Sequence, residues 1–352
     1  MLVIVSDPHL GTYRSANTTL QSRKVLQDKL FSTLVRTLIR YKAVNNTLIV
    51  AGDLFDNDTN NERTILQGFK IAEMCDVILA GNHDLPNRDG KVSSLQLLDE
   101  MTGKDGTVVI PKVSEVKIEQ GAAKCGTNIT LIPHHSTQDQ FDEAIRMAVK
   151  NPIGGLVITH CNFDSDRALQ DDASLNITRK QAKALIDAGY DYILNGHEHK
   201  HSAHLGGKFV NLGNTHPTSM GDISEKYVWT YSQTEGLVKH LIWDMDNYVQ
   251  VEVDDETLET TLAAGEFIDI YGEISPAKGP ALAAFVKRCY DDERTLMVRN
   301  RVTYDTERLV SEALQPTSIV NLAEQVAEDL KGSDLGDLWE KYRFEAASGE
   351  SS

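Results

Sequence analysis

The sequence predicts an α/β layered fold with its functional loops at the carboxyl ends of the strands. Three observations carry that expectation. Apolar runs of three or four residues alternate with stretches of helical spacing through about residue 200. The runs are apolar at consecutive rather than alternate positions, the mark of strands covered on both faces. Five polar motifs each follow a short apolar run directly.

Residues 2–5 (Leu2, Val3, Ile4, Val5) read as the first strand and 48–51 as the second. Between them, 21–41 place Val25, Leu26, Leu30, Leu34, Val35 and Leu38 three or four apart, which predicts an amphipathic helix. A second helix covers 62–74, and strands follow at 77–79, 129–132, 156–159 and 192–194. A third helix over 178–188 opens on Thr178, whose hydroxyl can cap it. After Lys208 the pattern turns β-rich without a clear helix, at 209–212, 227–231, 237–243 and 248–253. The acidic stretch Asp254-Asp255-Glu256 marks a boundary. Beyond it, a strand (267–274), a helix (280–290) and a strand (296–304) form a small βαβ-like unit. Pro316 then precedes a helical pattern with Ile319, Leu322, Val326 and Leu330 on one face. A segment carrying Trp339, Tyr342 and Phe344 follows. Three domains are expected: 1–255, 256–310 and a helical tail over 311–352.

The length of 352 residues exceeds what one core usually organises. No apolar run approaches the roughly 20 residues of a membrane span, and the N-terminus enters a strand with no basic segment before it, unlike a signal peptide. Cys75, Cys125, Cys161 and Cys289 are scattered without a CxxC pair, which argues against a disulfide framework or zinc ribbon and fits a reducing, cytoplasmic compartment. Net charge is −17, unevenly spread. Residues 251–352 hold 22 acidic and 10 basic side chains, whereas the first 250 hold 30 and 25. The acid belongs to the last third, and such a chain grips nucleic acid only if bound metals or a partner supply positive charge.

The motifs are Asp7-Pro8-His9, Gly52-Asp53-Leu54-Phe55-Asp56, Gly81-Asn82-His83-Asp84, His160, and Gly196-His197-Glu198-His199. Taken singly, Gly-Asp at a strand end is usually a turn or a cap, and a lone histidine there is usually a core residue. Together they place only oxygen and imidazole donors at successive strand ends, a set suited to divalent first-row metals.

As a set, these five motifs resemble those of the calcineurin-like metallophosphoesterases, over roughly residues 1–215. The resemblance implies a four-layer β-sandwich flanked by helices. It also implies one metal held by Asp7, His9, Asp53 and His199, and a second by Asp53, Asn82, His160 and His197, with Asp53 bridging. Two cations about 4 Å apart can share and activate a water and stabilise an in-line displacement at phosphorus; the donor types favour Mn²⁺. The resemblance puts His83 against the phosphate and Asp56 where it can orient His83. Asp84, His134 and Arg14 are candidate substrate contacts. Asp84 also suits a loop-fixing role, His134 and His135 suit surface positions near the cleft, and Arg14, with Arg23 and Lys24, suits solvated charge.

Within that family, the opening Asp7-Pro8-His9-Leu10-Gly11 and the segment Val210-Asn211-Leu212-Gly213-Asn214-Thr215 are similar to SbcD-type DNA nucleases, including the T-even phage recombination nuclease subunit. That resemblance implies a Mn²⁺-dependent DNA nuclease subunit in repair, recombination or phage replication, with 3′–5′ exonuclease and endonuclease activity. It further implies a small α+β capping domain, a homodimer, and a coiled-coil ATPase partner of SbcC type docked by the helical tail. The alternatives are a stand-alone phosphatase or nucleotide phosphodiesterase, and a metal-binding scaffold without activity.

Overall fold

The computed structural model describes residues 1–12, 20–42, 46–86, 90–102, 108–110, 117–119, 126–165 and 174–305. Arg14, Cys125 and the tail expected at 311–352 lie outside the described residues. In chain order the elements are β1 (Leu2–Val5), α1 (Leu20–Tyr41), β2 (Thr47–Ala51), α2 (Glu62–Ala72), β3 (Val77–Leu79), α3 (Ser94–Thr102), β4 (Val108–Val109), β5 (Lys117–Glu119), β6 (Ile129–Ile132), α4 (Gln138–Lys150), β7 (Gly155–His160), β8 (Asn162–Phe163), β9 (Asn176–Ile177), α5 (Arg179–Asp187), β10 (Tyr190–Gly196), β11 (Ser202–His204), β12 (Phe209–Asn211), β13 (Lys226–Ser232), β14 (Gly236–Trp243), β15 (Tyr248–Val253), β16 (Phe267–Ile274), α6 (Gly279–Asp291) and β17 (Met297–Tyr304).

Two six-stranded sheets form the larger unit, in the orders β14-β13-β1-β2-β3-β4 and β11-β12-β10-β7-β6-β5. β1 to β4 run parallel, as do β6, β7, β10 and β12, while β13 closes against β1 antiparallel. Strand alternation divides the core. Leu2 and Ile4 turn inward with Ile49, Leu79, Leu131, Ile158, Leu194 and Trp229 into the layer between the sheets. Val3 and Val5 turn outward, where Leu34 and Leu38 of α1, Ile71 of α2 and Leu95 of α3 cover them. On the far side Phe141 and Ile145 of α4 and Leu185 of α5 cover Val157 and Ile193. The result is four layers, helix–sheet–sheet–helix. Each fully buried Leu, Ile or Val contributes about 1.5–3 kcal/mol. α5 starts with a full capping box between Thr178 and Gln181, as its sequence predicts.

The chain divides into two compact units. The larger comprises 1–249, 263–269 and 289–299. Among the described residues, the smaller comprises 250–262, 270–288 and 300–305. In the smaller, the acidic stretch is a turn: Asp254 Oδ1 accepts the backbone N–H groups of Glu256 (3.0 Å) and Thr257 (2.8 Å). β15, β16 and β17 make a three-stranded sheet with β16 central. No helix among the described residues is long and apolar enough to cross a membrane.

Candidate metal centre

The loops after β1 and β2 lie side by side. Asp7 N–H donates to Gly52 O (3.2 Å), His9 N–H to Asp53 O (3.1 Å), Leu10 N–H to Leu54 O (2.9 Å) and Asp56 N–H back to Leu10 O (3.0 Å). Leu10, Leu54 and Phe55 are fully buried and anchor this ladder in the core. Asp7, His9 and Asp53 are thereby turned to one point, at a backbone cost. Six non-glycine residues among those described have positive φ, and four of them are Asp7 (50°), His9 (47°), Asp53 (46°) and His197 (77°). Such strain persists only where the surrounding structure imposes it.

Glycines make the room. A Cβ on Gly81 would sit 2.1 Å from Asp53 Oδ1, and one on Gly196 would sit 2.3 Å from Ala51 O and 2.6 Å from His160 Nδ1. The motif glycines thus let backbone pass directly behind ligand side chains.

Two clusters result. In the first, donor atoms of Asp7, His9 and His199 lie within 4.8 Å of one another; in the second, those of Asp53, His160 and His197 do. Asp53 Oδ2 stands between them, 3.8 Å from His9 Nε2 and 3.2 Å from His160 Nε2. Asn82 Oδ1 joins the second cluster, 3.2 Å from His160 Nε2 and 3.1 Å from His197 Nδ1. The structure therefore brings together all seven residues expected as ligands. His197 N–H donates to both oxygens of Asp7, at 3.0 and 3.1 Å, tying the two ends of the motif series.

The donor chemistry fits divalent cations. His160 Nδ1 faces Ala51 O at 3.0 Å and so carries the proton there. Its Nε2 is left as a lone pair pointing at two oxygen acceptors, Asp53 Oδ2 and Asn82 Oδ1. His9 and His199 bring their Nε2 atoms within 2.8 Å of each other, while their Nδ1 atoms lie 3.2 Å from Asp56 Oδ1 and 3.4 Å from Asp222 Oδ2. Converging lone pairs repel unless a proton or a cation lies among them. Without metal the proton takes that place. Burial alone would lower the His160 pKa, but the Asp53 and Asp7 carboxylates outweigh it and push it up to about 10. Burial would raise Asp53, yet His160 and His9 hold it well below the usual carboxylate range.

Two expectations need correction, for Asp56 and for the histidine pair, and Asp84 takes the loop-fixing one of its two expected roles. The Asp56 carboxylate stands beside His9 Nδ1 at 3.2 Å; His83 Nδ1 instead meets the Asp56 main-chain carbonyl at 2.9 Å. Asp56 thus holds His83 through its backbone and stands behind the candidate ligand His9 through its side chain. Asp84 does not face the cleft: it is fully buried, and its carboxylate accepts backbone N–H groups from Leu54 (3.2 Å), Phe55 (3.0 Å) and Gly81 (3.0 Å). It fixes the second and third motif loops to each other. Burial and the neighbouring Asp53 charge raise its pKa to about 7, against the pull of those amides. His134 and His135 are not surface residues, at 4% and 6% exposure. Burial and the His160 charge lower His134 to about 3, so it is a neutral group walling the second cluster. His135 donates to Pro133 O at 2.7 Å and packs on Phe141.

His83 is half-buried, its ring 5.2 Å from that of His9, and its N–H donates to Asp53 Oδ1 at 3.0 Å. Its Nδ1 proton is held by the Asp56 carbonyl, so Nε2 is the nitrogen that gains or gives the second proton. Two residues without any motif signature also build the site. Asn195, fully buried, donates to Cys161 O and Asn211 Oδ1 (both 2.8 Å) and accepts Cys161 N–H (3.1 Å), which fixes the turn after His160. Asp222 reaches His199 from the loop before β13.

A four-layer α/β sandwich with two adjoining clusters of carboxylate, amide and imidazole at its strand ends defines a metal-dependent hydrolase. The chain belongs to the calcineurin-like phosphoesterase family, whose model matches residues 1–201. Members of that family use dinuclear metal sites, and the two clusters are the candidates here. No curated protein matches the chain. Among solved structures, a phosphopantetheinyl hydrolase (PptH) from Mycobacterium tuberculosis is similar at 14% identity and a TM-score of 0.37, over 61% of this chain and 89% of its own. A protein from Staphylococcus aureus described as a 5′-nucleotidase, solved with α-ketoglutarate, is similar at 13% identity and a TM-score of 0.35, over 68% of this chain. The match spans 52% of that second protein's length.

Proposed function

We propose that the chain is the nuclease subunit of a DNA-processing complex, cleaving phosphodiesters with two Mn²⁺ ions held by Asp7, His9, Asp53, Asn82, His160, His197 and His199. The observation that carries this reading is the pair of segments resembling SbcD-type nucleases, which meet at one ligand. Asp7 and His9 come from the first, and Asn214 of the second donates its N–H to His199 O at 3.3 Å. Bound cations would supply Lewis acidity and a water acidic enough to attack phosphorus at neutral pH. The protein's own part is positional. Asp53 and the strained loops fix the ligand atoms, and His83 Nε2 delivers a proton to the leaving oxygen or stabilises charge there. The acidic balance of the last hundred residues supports a partner that brings the positive surface, a coiled-coil ATPase of SbcC type, in a cytoplasmic complex built on a homodimer.

The net charge of −17 favours a second reading, a phosphatase or nucleotide phosphodiesterase acting on small substrates. One experiment separates them. Linear duplex DNA and a small aryl phosphodiester are each incubated with Mn²⁺ and with wild-type or His83→Ala protein, with and without a co-expressed ATPase. Degradation of DNA, lost in His83→Ala, is the expected result. Hydrolysis of the small substrate alone, with DNA intact even beside the ATPase, selects the second reading.

A further inference from the structure

We propose that Asp222, fixed by the buried Lys226, is the positioning residue that presents His199 Nε2 to the cation of the Asp7–His9–Asp53 cluster. The inference rests on the metal-centre reading and goes beyond the residues of the family motifs.

Three features argue for it. His199 has two ring nitrogens with separate tasks: Nε2 faces His9 Nε2 at 2.8 Å within the first cluster, and Nδ1 faces Asp222 Oδ2 at 3.4 Å. A carboxylate behind the outer nitrogen keeps the proton there and the lone pair on the metal side. Asp222 is itself immobilised. Its Oδ2 accepts Asn214 Nδ2 (2.5 Å), Thr218 N–H (3.0 Å) and Thr218 Oγ1–H (3.2 Å), and its Oδ1 accepts Lys226 Nζ at 2.6 Å. Finally, Lys226 is fully buried, a state lysine seldom adopts without full pairing. Its ammonium lies 2.9 Å from Asp222 O, 3.0 Å from Ser224 Oγ and 3.0 Å from the main-chain carbonyl of His199. One buried ion pair thus holds both ends of His199, its carbonyl directly and its imidazole through Asp222. His160 in the other cluster has only the neutral Ala51 carbonyl at the corresponding nitrogen. The effect is therefore confined to one metal of the two.

The test is calorimetric titration of full-length protein with Mn²⁺, comparing wild type, Asp222→Asn and the double variant Asp222→Asn/Lys226→Met. The double variant leaves no buried ammonium without its counter-charge. Loss of about 10–100-fold in affinity at one of two sites, with the other unchanged and circular dichroism as in wild type, is the expected result. Wild-type affinity at both sites in either folded variant, or equal weakening of both, overturns the proposal. Should neither variant fold, the wild type loaded with Zn²⁺ decides. Its ¹⁵N-histidine spectrum, assigned with His199→Gln, must show a proton on His199 Nδ1 and none on Nε2; the opposite tautomer overturns the proposal. Absence of Mn²⁺ uptake by the wild type would instead sink the metal-centre reading itself.

Discussion

At the residue scale, a proton and a cation compete for one lone pair on His160. The metal-free His160 pKa of about 10, well above the ordinary 6.5, gives stability that is complete below pH 6.5 and lost as pH rises towards 10. The metal-free protein should accordingly lose melting temperature across that window, while metal-loaded protein, which has already shed the proton, should not. Parallel thermal scans with and without Mn²⁺ check this, and matching slopes would refute it. His83 makes a different prediction because it belongs to neither cluster. With His83 acting as proposed, on the leaving oxygen and not as a ligand, His83→Ala should lower kcat by about 10²–10⁴-fold yet leave Mn²⁺ affinity as in wild type. Asp84→Asn leaves the three amides of Leu54, Phe55 and Gly81 with only one good acceptor oxygen. A cost of about 1–3 kcal/mol is expected in urea unfolding, with the phosphate-facing chemistry secondarily loosened.

At the scale of the element, the site depends on strands ending where glycines let loops pass close by. Gly81→Ala would drive a methyl group into Asp53, so the expected outcome is loss of Mn²⁺ binding together with a destabilisation of about 1–3 kcal/mol. Wild-type metal affinity in this variant would show that the Asp53 loop yields, contrary to the packing. Thr178→Ala, which removes the cap of α5, an element that carries no candidate ligand, should cost about 1 kcal/mol and nothing in affinity. The central strands β1, β2, β3, β6, β7 and β10 were legible because buried parallel strands are largely apolar throughout, and the motif residues because they follow those strands directly. The two- and three-residue strands β4, β5, β8, β9 and β11 are too short to leave such a run. α4 was not, although Phe141, Ala144, Ile145 and Ala148 form its buried face. Two alanines among four core positions leave a weak apolar stripe in the sequence. Nor does anything in the segment around Asp222 mark it as a partner of His199, because the contact is made by tertiary folding. Asp56 was recognised with its partner His83, but the contact was assigned to its carboxylate, which stands beside His9 instead. Sequence spacing cannot distinguish a side-chain contact from one made by the same residue's carbonyl.

For the molecule as a whole, the division into two units does not follow a single cut in the chain. Residues 263–269 and 289–299 return to the larger unit. There Phe267, Leu296 and Met297 share a buried cluster with Leu26 and Leu30 of α1 and with Trp243. Glu266 in the same return segment accepts Trp243 Nε1–H at 2.8 Å and pairs with Lys29 and with His216 at 3.3 Å. A chain ended after residue 255 forfeits all of this. It should be less soluble and melt well below a chain ended after residue 305, because three large core side chains are removed and Lys29, His216 and Trp243 lose the Glu266 carboxylate. Equal melting temperatures for the two truncations would show that the return segments are dispensable.

The left-handed backbone at Asp7, His9, Asp53 and His197 has a consequence for the history of such a chain. Each is a position where glycine or asparagine would relax the main chain, and strain of this kind is worth on the order of 1–3 kcal/mol per residue. Against a total stability of about 5–15 kcal/mol, four such positions are a standing load. A lineage that had ceased to use the centre could shed that load one substitution at a time and gain stability at each step. This chain still carries all four, which is the opposite of what drift towards an inert scaffold would leave behind.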